Sequence, residues 1–152
     1  MDSVPAADAN QASIPALMRA ARGTYSQVIG AHLAEAGFDD LPRNGPFVLG
    51  GMAKWGGSAS DMTRALGVTK QAASQLIDTL VLRGYLTREV NQSDRRRMTI
   101  TLTDRGRAAA AAVGAAVAEV DARLAQMISP EQLAGLRAGL TALAAIKDAG
   151  ER

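Results

Sequence analysis

Hydrogen-bonding side chains recur along one face of the segment Val68–Leu80. At the spacing of an α-helix, the opposite face of this segment is apolar and would pack on a core. The polar face carries a lysine, two amides and a hydroxyl, which are the groups that bind base edges and phosphates in DNA. Its members are Lys70, Gln71, Ser74, Gln75 and Asp78. The pattern predicts a DNA recognition helix, with an ordinary solvated surface as the alternative.

The side chains of this helix suit different parts of a DNA duplex. Gln71 and Gln75 can each pair with an adenine through two hydrogen bonds. Ala72 is small enough to meet the methyl group of a thymine. The predicted phosphate contacts are Thr69, Lys70 and Ser74.

Two short helices joined by a tight turn are predicted around this face. A helical piece from Ser60 to Leu66 is closed by Gly67, and Gly84 ends the second helix. Thr69 can cap the second helix, because its hydroxyl accepts from a backbone N–H that has no partner within the helix. This layout is a helix-turn-helix. Ser58, just ahead of the first helix, is also predicted to lie at the DNA surface.

Two strand-like segments, Tyr85–Val90 and Met98–Leu102, follow the predicted recognition helix, and the second alternates apolar and polar residues. The loop between them contains three consecutive arginines, Arg95 to Arg97. Adjacent guanidinium groups repel one another unless they meet anions, and a narrow A·T-rich minor groove has a strong negative potential. The hairpin therefore predicts a DNA-binding wing, with a charged loop tip as the alternative.

The run from Asp94 to Gly106 resembles the wing signature of MarR-type transcriptional regulators, D-x-R-x-x-x-[LIV]-x-L-T-x-x-G. Leu66-Gly-Val-Thr69 and Gly84-Tyr-Leu-Thr-Arg88 are similar to the turn and the first wing strand of the same family. The resemblance implies a homodimer whose recognition helices enter successive major grooves of a pseudo-palindromic site, while the wings reach the flanking minor grooves. By this resemblance Arg96 would enter the minor groove and Asp94 would orient basic side chains at the base of the wing. Arg88 is expected among the DNA contacts.

Helical patterns also flank the predicted winged helix. One begins at Ser13, a second and weaker one spans Pro46–Trp55, and a long one runs from Asp104 to about Ile128. Ser129-Pro-Glu-Gln132 then starts the last helix with a capping box. One winged helix is too small to cover all of their apolar stripes, so the N- and C-terminal helices are expected to pack against a second copy of the chain.

The predicted fold is therefore mainly α with a small β wing, a winged helix-turn-helix with N- and C-terminal dimerisation helices. Residues 1–12 are expected to form a disordered tail and residues 13–44 the N-terminal dimerisation helix with its connection. The DNA-binding domain is expected at residues 45–107 and the C-terminal dimerisation helices at residues 108–152.

Composition excludes several classes of function. The 152 residues include no cysteine and a single histidine, which excludes disulfides and thiol redox sensing and argues against a metal site or a catalytic triad. No cofactor is expected, and the chain is predicted not to be an enzyme. Because no secretory signal or membrane-spanning run is apparent, a cytoplasmic protein without a membrane partner is expected.

Charge is concentrated on the predicted DNA-binding segment. Residues 58–107 contain nine Lys/Arg and five Asp/Glu, whereas the rest of the chain contains eight and ten. A local basic excess is expected for a surface that binds nucleic acid.

A small-molecule effector pocket is a further hypothesis. Its members would be Tyr25, His32, Met52 and Trp55, although His32 is more simply interpreted as a core or interface residue, and Met52 and Trp55 as core residues.

The sequence thus predicts a dimeric repressor that binds double-stranded DNA and is released by a small effector. The alternative is a protein-interaction module built on a winged helix that does not read DNA sequence.

Overall fold

The computed structural model describes residues 12–96 and 98–149, which form six helices and one two-stranded hairpin. The predicted tail, up to residue 11, and Arg97 lie outside the described residues. The elements are α1 Ile14–Glu35, α2 Gly45–Trp55, α3 Ala59–Ala65, α4 Lys70–Leu82, β1 Leu86–Val90, β2 Met98–Leu102, α5 Asp104–Met127 and α6 Pro130–Ala149. The mainly helical fold with a small β wing is confirmed, and the element bounds lie within one or two residues of those predicted.

Capping hydrogen bonds set the starts of α3 and α4, the two helices of the helix-turn-helix, and glycines follow their ends. Ser58 and Asp61 form a reciprocal capping box at the start of α3. The Thr69 hydroxyl accepts from the backbone N–H of Ala72 at 3.1 Å and caps α4 as predicted. Gly67 and Gly84 follow the two helices with φ of +67° and +79°, a conformation that favours glycine over residues with a Cβ.

The core of the winged helix is centred on α2. Val48 and Leu49 are completely buried, together with Tyr85 and Leu80 from the end of α4 and the start of the wing. The glycine pair inside α2 is explained by close neighbours. A Cβ at Gly50 would lie 3.1 Å from a methyl of Val113 in α5, and a Cβ at Gly51 would lie 2.2 Å from the sulfur of Met62 in α3. The pair therefore lets α3 and α5 approach α2 closely, which outweighs the low helix propensity of glycine.

The hairpin is antiparallel and pairs Leu86 with Leu102 and Val90 with Met98. Its base belongs to the core, because Leu86 is buried and Ile100 and Leu102 are half-buried against the core residues. Its outer end is exposed at Val90 and Met98. The wing therefore projects from a fixed base.

The contacts within the chain divide it into two compact units between Val117 and Ala118. In the first unit, α1 exposes Ile14, Leu17 and Met18. In the second unit, α6 starts with the predicted capping box, in which the Gln132 N–H donates to the Ser129 hydroxyl at 3.2 Å. The large apolar side chains that α6 exposes are Leu136, Leu140, Leu143 and Ile146. Both units therefore carry apolar surface that one chain leaves uncovered.

Candidate nucleic-acid interface

Helix α4 presents its predicted polar face to solvent. Lys70, Gln71, Ser74 and Gln75 are exposed, while Ile77 and Leu80 on the opposite side are buried in the core. Ala72 is half-buried. The first turn of α4 contains no acidic residue. The positive end of the helix dipole and the Lys70 ammonium therefore both act on an anion placed there, such as a DNA phosphate.

An ion pair joins the recognition helix to the wing. The Arg88 guanidinium in β1 donates to the Asp78 carboxylate in α4. Both side chains remain partly exposed, so the pair is expected to add little to the free energy of unfolding. Its consequence is geometric, because it fixes Arg88, a predicted DNA contact, relative to the recognition helix. Sequence reasoning assigned Arg88 to DNA and did not find its bond to Asp78.

The wing loop is organised by short polar side chains. The Asn91 side-chain oxygen accepts from the N–H and the hydroxyl of Ser93, at 2.9 and 2.6 Å. An Asp94 carboxylate oxygen accepts from the backbone N–H of Arg96 at 3.1 Å. These Asx-type turns hold the loop without using its guanidinium groups. Arg95 and Arg96 are exposed at the loop, and Asp94 shapes the backbone that carries them.

Ser58 has a structural role at the start of the helix-turn-helix. Its hydroxyl donates to the Asp61 carboxylate at 2.7 Å and accepts from the Asp61 N–H at 3.1 Å. The Ser58 hydrogen bonds lower the pKa of Asp61 below its ordinary value, and the nearby Arg64 guanidinium adds to this effect. Arg64 and Asp61 form an exposed ion pair at 3.4 Å. Ser58 is exposed, but its hydroxyl already serves the helix cap.

A cluster that sequence reasoning missed connects three segments near the C-terminal end of α4. The Tyr85 hydroxyl donates to the Asp40 carboxylate, and Arg105 donates to the same carboxylate and to the Tyr85 oxygen, each at 3.0 Å. Arg83 donates to the backbone carbonyl of Asp40. The Tyr85 hydrogen bond, followed by Arg105, lowers the pKa of Asp40, while burial and the Asp40 bond raise the pKa of Tyr85. Asp40 lies in a polar stretch after α1, where no local pattern indicates a partner 45 residues away.

An open groove of about 1060 Å³ lies between the α2–α3 connection and the wing. Met52, Ser58, both strands and the first turn of α5 line it. Of the four residues predicted to form an effector pocket, the groove includes only Met52. Tyr25 and His32 are half-buried in α1, whereas the Trp55 side chain at the end of α2 is 69% exposed. The groove is open to solvent, and its lining mixes apolar side chains with hydroxyl, amide and charged ones.

Within residues 12–96 and 98–149, no group of three potential ligands is placed to hold a metal ion. No helix in the part of the chain that the structure describes is both long and apolar enough to cross a membrane.

The fold recurs in proteins of known structure. The Staphylococcus aureus protein MepR in its complex with DNA is 23% identical, with a TM-score of 0.69 over 88% of this chain and 98% of that chain. MepR in its DNA-binding conformation gives a TM-score of 0.71 at the same identity and coverage. The transcriptional repressor CouR, bound to a 23-mer DNA duplex, is 24% identical, with a TM-score of 0.66 over 94% and 99% of the two chains. The sequence has no significant match among curated proteins.

The fold and the exposed face of α4, with the wing arginines beside it, together define a winged helix-turn-helix protein. Residues 48–97, which contain the helix-turn-helix, β1 and the wing loop, match the sequence model of the MarR family. Over these residues, a third of the chain, the sequence is similar to the MarR family.

Proposed function

We propose that the protein is a homodimeric repressor that binds a pseudo-palindromic DNA site and is released from it by a small effector. The observation that carries the proposal is the exposed polar face of α4, which ends in a capped N-terminus beside Lys70 and lies next to a wing with exposed arginines. If the polar face of α4 only met solvent, there would be no need for the Arg88–Asp78 ion pair that holds the basic wing beside it. Two relatives of this fold were solved with DNA, and one of them is described as a repressor.

The proposed dimer is supported by apolar surface at both ends of the chain. The exposed residues of α6 recur at intervals of three or four, which places Leu136, Leu140 and Leu143 on one side of the helix. In α1, Ile14, Leu17 and Met18 form a similar patch. Obligate homodimers cover such apolar surface with the equivalent surface of a second copy. Two copies would present two recognition helices to half-sites about 34 Å apart.

DNA titration at two salt concentrations tests the proposal. We expect one dimer per palindromic duplex and affinity that falls steeply with salt, because each neutralised phosphate releases counterions. Random-sequence duplexes of equal length are the control and should bind much more weakly. Weak binding that is indifferent to sequence would contradict the proposal and favour a protein-interaction module.

Arg96→Ala is expected to weaken binding to every duplex and to reduce its salt dependence. Removing one charge from each wing should lower the slope of log affinity against log salt by about 2 for the dimer. Because Arg96 is exposed, the melting temperature should not change. Arg123→Ala, which removes an exposed arginine that pairs with Glu119 in α5, is the control and should keep the original slope. An unchanged slope for Arg96→Ala would remove the wing from the interface.

Gln75→Ala is expected to relax sequence preference. Loss of a two-bond contact with a base should reduce discrimination at one position of each half-site by about 1–3 kcal/mol. The measurement is competition between the best duplex and its single-base variants. Lys70→Ala provides the contrast, because loss of a phosphate contact should weaken all duplexes equally. If Gln75→Ala preserves the full preference, Gln75 does not read a base.

The proposed effector site lies around α1 and α2. MepR has been solved with ethidium bound, so a protein of this fold can accommodate an aromatic compound. For this chain we propose a site that includes Met52, with Tyr25, His32 and Trp55 as the other candidate contacts. Trp55 is the only tryptophan, so its fluorescence reports directly on this region. A ligand that lowers DNA affinity and changes Trp55 emission at the same concentrations would support this site, and release without any change in emission would contradict it.

A further inference from the structure

We infer that Asp40, Tyr85 and Arg105 are positioning residues that set the location of the recognition helix relative to α1 and the first turn of α5. This inference rests on the proposed dimeric, DNA-binding function. None of the three lies on the exposed polar face of α4, and none is expected to contact DNA. Their role is to hold together the three chain segments that determine where α4 lies.

Each residue belongs to a different segment. Asp40 follows the end of α1 by five positions, Tyr85 follows the end of α4 by three, and Arg105 is the second residue of α5. One oxygen of Asp40 accepts from both of its partners, and Arg105 also bonds to the Tyr85 oxygen. The three side chains therefore close a triangle of hydrogen bonds among the connection after α1, the end of α4 and the start of α5.

Aromatic packing fixes the orientation of the triangle. The Arg105 guanidinium carbon lies 4.5 Å from the centre of the Tyr85 ring and 5.5 Å from that of Phe38. The two rings meet edge to face at 6.1 Å between centroids. Tyr85 is completely buried, so its ring cannot turn to find another partner for its hydroxyl. A second bond, from Arg83 to the Asp40 carbonyl, also links the end of α4 to this connection.

This arrangement suits a geometric role better than a stabilising one. The Asp40 and Arg105 side chains are each about two-fifths exposed, and ion pairs at such positions contribute little to the free energy of unfolding. A cooperative hydrogen-bonded network can still restrict orientation strongly. Two recognition helices must match half-sites separated by about 34 Å, so a small rotation of either helix would disturb binding.

Spin labelling can measure this geometry directly, because the chain contains no cysteine. Leu82 is the last residue of α4 and is 86% exposed, so Leu82→Cys introduces a single label at the end of each recognition helix. Electron–electron dipolar spectroscopy on the dimer then gives the distribution of distances between the two labels. The test variants, in the Leu82→Cys background, are Tyr85→Phe and Asp40→Asn. Arg123→Gln breaks an ion pair confined to α5 and is the control.

We expect a narrow distance distribution for the parent and the control, and a broader one for both test variants. DNA affinity of the test variants should fall about threefold to tenfold, because binding must then restrict an orientation of α4 that the network already fixes in the parent. Thermal unfolding and dimer content should match the parent. The double variant should be no broader than either single variant, because both substitutions open the same network.

An unchanged width of the distance distribution together with unchanged DNA affinity in both test variants would overturn the inference. Equal broadening of the distribution in the Arg123→Gln control would also overturn it. A test variant that loses affinity only in proportion to a lowered melting temperature would show a purely stabilising role and would also overturn it. A sample without dipolar modulation would show a monomer. That result would overturn the proposed dimer itself, and it differs from a modulated signal of unchanged width, which would overturn only the positioning role.

Discussion

Replacement of Leu140 by glutamate is expected to convert the proposed dimer into a monomer and to abolish high-affinity operator binding. Leu140 lies in the middle of the exposed apolar stripe of α6. In a two-fold symmetric interface the substitution occurs twice. Each buried leucine contributes about 1.5–3 kcal/mol, so two lost side chains should weaken dimerisation at least about a hundredfold, before the cost of burying two carboxylates. Analytical ultracentrifugation at micromolar protein measures the change.

Ala138→Glu is the matched control for this substitution. It adds the same charge to α6 two residues earlier, on the side of the helix opposite to Leu140. We expect the control to remain dimeric and to bind the operator like the parent protein. If Leu140→Glu also stays dimeric, α6 does not form the dimer interface. If it is monomeric but binds the operator with full affinity, simultaneous contact with two half-sites is not required.

The elements of this fold could be predicted from the sequence because their signals are local. A capping residue and a glycine bracket α4, and the spacing of Ile77 and Leu80 shows which side of the helix is buried. The same holds for α6, where the Ser129–Gln132 capping box forms as expected. The polar face of α4 was also predictable, since a helix that buries one side must expose the other.

Contacts between distant segments could not be predicted in this way. No periodicity connects Asp40 to Tyr85 and Arg105, and nothing in the recognition helix indicates that Asp78 binds Arg88. These bonds depend on how the turns bring the segments together. Trp55 illustrates a related limit, because an apolar residue at a helical position was assigned to the core or a pocket, whereas its side chain is largely exposed. Periodicity identifies an apolar face but not whether this chain or another molecule covers it.

Gly106 is the last residue of the wing signature, and the structure shows why a glycine is needed there. The wing signature ends in a glycine, although this residue lies inside the first turn of α5, where alanine has the higher helix propensity. The carbonyl oxygen of Tyr85 occupies the space that a side chain would need, since a Cβ at Gly106 would lie 2.0 Å from it. That oxygen accepts from the Thr103 N–H at 3.1 Å, and the Thr103 hydroxyl donates to the Gly84 carbonyl at 2.5 Å. The start of α5 is therefore bonded to the junction between α4 and the wing at the closest distance that glycine allows.

Gly106→Ala is accordingly expected to destabilise the protein. Relief of the clash requires α5 to move away from Tyr85, which stretches the Thr103 hydrogen bonds and opens the packing around Leu102. Overpacking of this kind costs about 1–3 kcal/mol or more, and it exceeds the roughly 1 kcal/mol that alanine gains in helix propensity. For a chain of this size we expect the melting temperature to fall by about 2–4 °C for each kcal/mol. Thermal unfolding followed by circular dichroism at fixed protein concentration measures the change.

Gly114→Ala makes the same substitution two turns further along α5, where no atom from elsewhere in residues 12–96 and 98–149 lies within 4 Å of the added Cβ. Its melting temperature should be equal to or slightly above that of the parent, because only the propensity term remains. The difference between the two variants isolates the close approach of α5 to the wing junction. Equal stabilisation by both substitutions would mean that α5 has room to move at Gly106. In that case the glycine of the wing signature would need an explanation other than the Tyr85 carbonyl.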